Sequence, residues 1–410
     1  MGDPRRRRYR IGTGLLAAIS AAALAAACTA PSNNTGGGGA SSSSDLPDKP
    51  SSPVQLNIVD VAGNAQLTQG IFDNFVKEHS DIISKVNIQT AKAPDLPGKL
   101  EAQEKGGALA IDLVLTGTDA LGSGIAKDLY TDLSPYLSRL SNMKNYDTVP
   151  AKMQEQARNK GVELVYYPSG PLLEYDPSKV TTPPTSSEEL LKWCQDHPGK
   201  FQYAQPANSG PGRTWLMGLP YMLGDTDPKD PEKGWDKTWA YLTELGKYVT
   251  YYPSGTTENM TNLAKGTVDL VASTTGWYLN PIILGTVPKT MKAGFFDKFT
   301  WVEDSQYFAI PKGISQDKLV AILALTNYAL DKKQQPLTID KGYFYPGPAV
   351  NDVTLDQAPQ ASQDAIKAVL PSDFDSMIKN MPTETSLPAD VQVKAFAKWD
   401  QLIAGNKVKK

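Results

Sequence analysis

The chain of 410 residues has few of the side chains on which enzymes rely for chemistry. Its only cysteines are Cys28 and Cys194, and its only histidines are His79 and His197. It has no Gly-x-Ser-x-Gly nucleophile motif, and no pair of His, Cys and carboxylate residues shows metal-ligand spacing. These absences weigh against a serine or cysteine hydrolase and against a zinc site. We therefore expect a protein that is not an enzyme and that uses no cofactor and no metal.

Basic residues are not in excess either. The chain has 41 Lys and Arg against 44 Asp and Glu, which gives a formal net charge of −3. Five of the arginines lie before residue 11, and removal of residues 1–27 lowers the charge to −7. An acidic chain without a basic patch is not expected to bind nucleic acid.

The N-terminus has the order of a secretory signal. Five arginines precede an apolar run from Leu15 to Cys28, which ends in three alanines before the cysteine. The run is shorter than the roughly 20 residues that span a membrane. It resembles a bacterial lipoprotein signal, which implies a signal peptide at 1–27 and acylation of Cys28. An ordinary signal cleaved near Ala27 is the alternative, and the arginine run leaves both the general secretory and the twin-arginine route open.

A Gly/Ser/Pro-rich segment follows, with four consecutive glycines at 36–39 and four consecutive serines at 41–44. Such a composition cannot bury enough apolar surface to order itself. We predict a flexible tether over residues 28–53 between the lipid anchor and a globular body.

The body begins with alternating strand and helix patterns. Strands are predicted at Val54–Val61, Val86–Gln89 and Ile111–Leu115, with an amphipathic helix after the first. This order predicts a parallel sheet with crossover helices, in which ligands bind beyond the carboxyl ends of the strands. Asn64 and Thr118 follow two of these strands and are candidate ligand residues.

A five-residue sequence, Tyr-Tyr-Pro-Ser-Gly, occurs at both 166–170 and 251–255. The flanks of the two copies differ, so we interpret them as one turn type used twice, in which Pro fixes one φ and Gly accepts a positive one. A strand is predicted at Val162–Tyr167, which leads into the first copy. Farther on, Ser186 and Glu189 have capping-box spacing and predict a helix that buries Cys194 as an inert thiol.

A Gly-rich loop at 206–215 opens onto an apolar helix that continues to about Leu223. A loop of this kind presents backbone N–H groups and a helix dipole to a cavity, which favours an anion. Arg213 would reinforce that preference. The alternative is an ordinary strand-to-helix turn with Arg213 in solvent.

Three stretches together resemble the family 1 type of bacterial extracellular solute-binding proteins of ABC importers, whose branches include polyamine, thiamine and ferric-iron binders. The stretches are 165–190, 199–215 and 263–276, the last followed by Phe308 to Gly313. The similarity is greatest to the thiamine-type branch, on the stretch 192–221.

The resemblance implies an α/β fold of two lobes, a periplasmic-binding-protein-like fold of type II with hinge crossovers between the lobes. Lobe one would comprise residues 54–167 plus 308–410, and lobe two residues 168–307. The lobes would close on a small solute and deliver it to the permease subunits of the importer. The protein would then be extracytoplasmic, lipid-anchored to the outer face of the cell membrane.

The cleft loops of such a fold map onto polar and aromatic residues of this chain. The candidate ligand-binding residues are Asn64, Thr118, Ser169, Asn208, Ser209, Arg213, Trp215, Trp277, Tyr278, Ser305, Tyr307 and Tyr345. Aromatic rings suit a cationic amine or a thiamine-like ring, although each ring could equally pack in the core. A phosphorylated or carboxylated solute on the loop 208–213 is the competing possibility.

Other classes of protein remain open from the sequence. An exported hydrolase could use paired carboxylates, and a surface adhesion or scaffold lipoprotein would bind no solute. The paired tyrosines at 166–167 and 251–252 raise a ferric-iron-binding protein of the same fold, because phenolate oxygen is a hard ligand.

Overall fold

The computed structural model describes residues 46–61, 63–107 and 109–408, without the side chains at positions 94, 119 and 406. The predicted signal peptide, Cys28 and the tether as far as residue 45 lie outside the described residues. Within them, no helix combines the length and the apolar character that a membrane crossing needs.

The described strands form two sheets. Their bounds are β1 Val54–Asp60, β2 Ile83–Thr90, β3 Leu113–Gly117, β4 Val162–Gly170, β5 Leu172–Tyr175, β6 Phe201–Gln202, β7 Leu270–Ser273, β8 Lys292–Gly294, β9 Trp301–Ala309, β10 Gly347–Pro348 and β11 Thr383–Glu384. The large sheet has the order β10-β4-β9-β3-β1-β2, with β11 also paired to β9, and the small sheet has the order β6-β7-β5-β8.

Helices pack around both sheets. Their bounds are α1 Ala65–Glu78, α2 Leu96–Gly106, α3 Thr118–Ala126, α4 Thr148–Gln156, α5 Ser187–Asp196, α6 Gly210–Leu223, α7 Asp236–Gly246, α8 Thr256–Ala264, α9 Thr275–Ile283, α10 Gln316–Ala329, α11 Gln360–Lys367, α12 Phe374–Asn380 and α13 Ala389–Trp399.

The predicted parallel unit is confirmed for the first three strands. β1 pairs in parallel with β2 on one side and with β3 on the other. α1 buries the apolar stripe of Leu67, Ile71, Phe72 and Phe75 that its sequence spacing predicts. The carboxyl ends of β1, β2 and β3 therefore meet at one edge of the large sheet.

Of the two remaining long strands of the large sheet, β9 runs the other way, whereas β4 runs in the same direction as β1, β2 and β3. β9 pairs antiparallel with both β3 and β4. The chain passes from the large sheet to the small one between β4 and β5, and it returns between β8 and β9. β4 and β9 are thus the strands through which the two sheets are connected.

The interpretation of Tyr-Tyr-Pro-Ser-Gly as the same turn used twice is wrong. The first copy lies inside β4, where Tyr166 pairs with Ser305 and Gly170 pairs with Val302. The register shifts between Pro168 and Gly170, and an irregularity of this kind is where a strand accepts proline. Only the second copy precedes a helix, α8. Pairing with β9 decides the difference, because the five residues themselves are identical.

The core beneath the small sheet is strongly aromatic. Trp215, Trp235, Trp301 and Trp399 are all fully buried there. Trp399 comes from α13. The C-terminal part of the chain therefore contributes to this core together with the residues between β5 and β9. Burial of each such side chain contributes roughly 1.5–3 kcal/mol or more to folding.

The helix predicted around Cys194 is confirmed as α5. Ser186 is its N-cap, and its Oγ accepts a hydrogen bond from Glu189 N at 3.1 Å. Burial raises the pKa of the Cys194 thiol to about 12. At neutral pH the sulfur is therefore a protonated, unreactive group.

Residues 46–53, the end of the predicted tether, lie against the large-sheet core. Leu46 is buried, and Arg139 donates hydrogen bonds to the Leu46 carbonyl at 2.5 Å and to Asp48 at 3.1 Å. Ser51 N donates to Asp317 Oδ1 at 2.9 Å. These contacts fix the point at which the chain enters the body.

Candidate functional site

A cavity of about 760 Å³ lies at the carboxyl ends of β1, β2 and β3. Its walls come from these strand ends, from β9 and from the N-terminal ends of several helices. The lining residues are Val61, Ala91, Lys92, Ala93, Gly117, Tyr167, Asn208, Ser209, Gly210, Arg213, Ser254, Gly255, Thr256, Thr257, Glu258, Thr261, Trp277, Asp304, Gln306, Tyr343 and Phe344. The predicted position of a ligand site beyond the strand ends coincides with this cavity.

One face of β9 forms part of the cavity wall. Asp304 and Gln306 line the cavity, whereas Ser305 and Tyr307 point to the opposite face of the sheet. Ser305 Oγ contacts Glu163 Oε1 at 2.6 Å, and Tyr307 Oη donates to the Met153 carbonyl at 3.2 Å. Because side chains alternate along β9, Asp304 and Gln306 face the cavity.

A buried ion pair stands in the cavity wall. Arg213 Nη2 donates to Asp304 Oδ2 at 2.5 Å, and the two side chains are 5% and 1% exposed. Thr118 Oγ1 and the backbone N–H of Ser305 both donate to Asp304 Oδ1, at 3.1 and 3.0 Å. These three donors satisfy the hydrogen-bonding capacity of the buried carboxylate. The pair ties α6 to β9.

The second Tyr-Tyr-Pro-Ser-Gly copy delivers the N-terminus of α8 to the cavity. Gly255 is the N-cap of α8, and no side chain caps this helix. Glu258 in the first turn accepts hydrogen bonds from Ser254 N and Tyr251 Oη, both at 3.2 Å. The neighbouring α6 differs, because Ser209 Oγ accepts from Gly212 N at 3.1 Å and caps it.

Aromatic rings form another side of the cavity. Tyr343 packs edge-on against Trp277 with ring centroids 5.6 Å apart and against Phe344 at 5.0 Å, and Phe344 packs on Tyr167 at 4.2 Å. α9 approaches this loop so closely that a Cβ at Gly276 would lie 1.7 Å from the Tyr343 carbonyl oxygen. Burial raises the pKa values of Tyr167 and Tyr343, so their hydroxyls stay neutral.

Some of the sequence-predicted residues line this cavity and others lie behind it. Asn208, Ser209, Arg213 and Trp277 are lining residues. Thr118 does not line the cavity but holds Asp304, which does. Their participation in solute binding stays a prediction.

The other predicted residues are buried away from the lining. Trp215 packs in the small-sheet core against Phe201 and Phe296. Tyr345 Oη contacts Asp375 Oδ1 at 3.0 Å. Fully or almost fully buried without lining the cavity are Asn64, Ser169, Tyr278, Ser305 and Tyr307.

Sequence reasoning did not single out Lys92 or the residues 254–258, and it included Gln306 only as part of the cleft segment 305–307, in which Ser305 and Tyr307 were the candidates. Lys92 follows β2 at the predicted ligand edge, so its place after a strand was the available signal. The signal for 254–258 was a Ser-Gly-Thr-Thr-Glu run at the start of a predicted helix. Gln306 had no separate signal, because the face of β9 depends on its pairing with β3 and β4.

The tyrosine pairs considered as iron ligands separate in the fold. Tyr167 lines the cavity, while Tyr252 lies in the small-sheet core against Tyr203 and Trp399. In the part of the chain that the structure describes, no three His, Cys, Asp or Glu side chains are grouped so that they could hold a metal ion.

The family model of bacterial extracellular solute-binding proteins matches residues 70–369. Since this match covers most of the chain, the protein belongs to that family. The proteins of this family are extracellular, and the similar solved structures include proteins of ABC transporters. A search among curated proteins found no match.

Solved structures of binding proteins share the fold. An ABC transporter structure from Clostridium perfringens superposes with a TM-score of 0.61 at 15% identity, covering 85% of this chain and 99% of that one. The periplasmic binding protein AfuA from Actinobacillus pleuropneumoniae, with fructose-6-phosphate bound, gives 0.59 at 17%, covering 85% and 98%. The spermidine/putrescine substrate-binding protein PotD from Streptococcus pneumoniae gives 0.58 at 13%, also covering 85% and 98%. The fold is thus α/β and two-lobed, of the periplasmic-binding-protein type, as predicted.

Proposed function

We propose that this protein is the substrate-binding lipoprotein of an ABC importer, which captures a small solute in the 760 Å³ cavity and delivers it to membrane permease subunits. The position of the cavity carries the proposal, since it lies where open α/β sheets bind ligands. Its volume falls within the roughly 300–1,000 Å³ of small-molecule sites.

A binding role, rather than catalysis, is supported by the state of the cavity's carboxylates. Asp304 is engaged by Arg213 and Thr118, and Glu258 by Tyr251 and Ser254. A glycosidase-type hydrolase would need two carboxylates free to face the substrate. Burial raises the pKa of Glu303 to about 8. Glu303 does not line the cavity, however, whereas the next residue, Asp304, does.

The proposed solute is small and polar, and it would contact both hydroxyl groups and aromatic rings of the cavity wall. The rings of Trp277 and Tyr343 offer surfaces for the cationic amine or thiamine-like ring that the sequence suggests. Among similar structures, AfuA holds fructose-6-phosphate and PotD is described as a spermidine/putrescine protein. Solutes of either charge are therefore compatible with the fold.

We further propose lobes at 54–167 plus 308–410 and at 168–307, which close around the solute. The two passages of the chain between the sheets, next to β4 and β9, support this hinge. Cys28 would carry the lipid that holds the protein at the outer face of the cell membrane.

Ligand-induced thermal stabilisation tests the proposal. The purified mature protein would be heated with a panel of amines, thiamine, sugars, amino acids and phosphorylated solutes. A bound solute stabilises the folded state, by about 2.7 kcal/mol at a concentration 100 times its Kd. A panel in which no solute raises the Tm would count against solute binding.

A further inference from the structure

The charged side chains that line the cavity differ in whether they are already paired with other groups of the protein. Among the lining residues, Lys92 and Arg213 are cationic, and Glu258 and Asp304 are anionic. Arg213 and Asp304 neutralise each other through the 2.5 Å ion pair. Glu258 is turned toward Ser254 N and Tyr251 Oη, which donate to it. No carboxylate among the described residues pairs with Lys92, whose side chain is exposed.

The N-terminus of α8 adds positive potential beside Glu258. α8 has nine residues, begins at Thr256 and lacks a side-chain cap. The first N–H groups of a helix have no acceptor within it and carry the positive end of its dipole. Thr256 and Thr257 also line the cavity, and Thr256 Oγ1 lies 2.8 Å from Ser209 Oγ in a hydrogen bond between the two hydroxyls. α6 offers less, because Ser209 already caps it.

Gln306 gives a separate indication that a ligand belongs in the cavity. Its side chain lines the cavity and is only 2% exposed, yet its Oε1 has no hydrogen-bond partner among the described residues. A buried amide oxygen without a partner costs about 1–3 kcal/mol, so it is expected to accept a hydrogen bond from a bound molecule. Either end of the amide can face the solute, since the two ends interchange by rotation.

We propose that the solute carries a phosphate or carboxylate group, bound at the N-terminus of α8 and by Lys92, with a polar portion against Gln306. This inference rests on the proposed function and assigns the chemical class of the solute. The anion would sit at the second Tyr-Tyr-Pro-Ser-Gly copy and not on the loop 208–213, where Arg213 is already neutralised. The rings of Trp277 and Tyr343 would cover the remainder of the solute.

Matched solutes test the charge. Glucose, glucose 6-phosphate and glucuronate form one set, and putrescine, butyrate and 4-aminobutyrate form another, each titrated into the mature protein by calorimetry and thermal shift. Binding of a phosphorylated or carboxylated member, with its uncharged or cationic counterpart at least tenfold weaker, supports the inference. The member that binds also distinguishes phosphate from carboxylate.

Two variants locate the anion. Thr256→Pro removes the N–H at the first helical position, where proline is tolerated, and Thr256→Val removes the hydroxyl but keeps the N–H. We expect the proline variant to bind the anion about tenfold more weakly than the valine variant, since a charge-assisted hydrogen bond is lost. Lys92→Gln should weaken binding several-fold, and more so at low salt. Lys85→Gln on the exposed part of β2 is the charge-matched control.

The outcomes separate this inference from the proposed function. Tight binding of putrescine or of an uncharged sugar alone would overturn the anion assignment and leave solute binding intact. Stabilisation by none of the six solutes would count against both. Equal anion affinity in Thr256→Pro and Thr256→Val, with unchanged ligand-free Tm, would remove α8 as the anion site.

Discussion

Arg213 on α6 and Asp304 on β9 form an ion pair that is almost completely buried, with Nη2 and Oδ2 2.5 Å apart. The pair connects a helix that packs on the small sheet with β9, the strand of the large sheet at which the chain returns from the small sheet. The pair therefore both stabilises the contact between α6 and β9 and forms part of the cavity wall.

Loss of one partner of this pair should destabilise the protein more than loss of both. Arg213→Met leaves the Asp304 carboxylate buried without its cation, which we expect to cost about 3–5 kcal/mol. The double variant Arg213→Met with Asp304→Leu should recover most of that loss. Urea unfolding measures both, and equal stability of the single and the double variant would contradict a coupled pair.

The stability of the protein should fall between mildly acidic pH and pH 8 because of Glu174. This carboxyl is fully buried beside Ser273, and burial raises its pKa to about 8. The folded state thus holds a proton that the unfolded state releases near pH 4.3, and this contribution is lost as pH rises to the folded pKa.

A Glu174→Gln variant should remove this part of the slope, which is at most about 1.4 kcal/mol per pH unit. Denaturation at several pH values from 5 to 9 measures it. Glu244→Gln, at an exposed helix position, is the control. A Glu174→Gln profile parallel to that of the unmodified protein would show that Glu174 is ionised in the fold.

Two tryptophans that the sequence suggests as ligand residues should behave differently. Trp215→Ala should cost about 3–5 kcal/mol of stability, since Trp215 is fully buried in the aromatic core. Trp277→Ala should lower solute affinity with a smaller loss of stability, because Trp277 lines the cavity and is only half-buried. Unfolding and titration of both variants compare the two effects, and a reversed order would place the site elsewhere.

Residues 46–53 should be protected from proteolysis by Arg139. Arg139→Ala removes the hydrogen bonds to Leu46 and Asp48, and we expect faster cleavage within this segment with a stability change of no more than about 1 kcal/mol. Limited proteolysis with mass spectrometry locates the cuts. Arg158→Ala, which breaks the exposed pair with Asp390, should leave the cleavage rate unchanged.

Cys28→Ala should release the protein from the membrane with solute binding intact, since a covalent lipid would be absent. Fractionation of cells into membrane and soluble material, followed by immunoblotting, measures this. Retention of the variant at the membrane would show that the cysteine is not the anchor.

The sequence was sufficient to predict the fold but only part of the site. Strand and helix periods located β1, β2, β3 and α1, and the parallel order predicted a ligand edge at which the structure has a cavity. The face of β9 was beyond reach, because a strand of mixed polar and apolar residues gives no indication of which alternate set meets the cavity. Pairing with β9 also decided that one Tyr-Tyr-Pro-Ser-Gly copy is strand, whereas the other copy begins a helix.

The aromatic core of the small sheet has a consequence for the time at which the chain can fold. Trp399 Nε1 donates to Tyr203 Oη across 196 residues of sequence, and Trp399 also packs on Tyr252. This core cannot be completed until almost the whole chain has been synthesised. Contacts so distant in sequence form slowly. A nascent chain would therefore lack a complete small-sheet core until its C-terminal helices have been made.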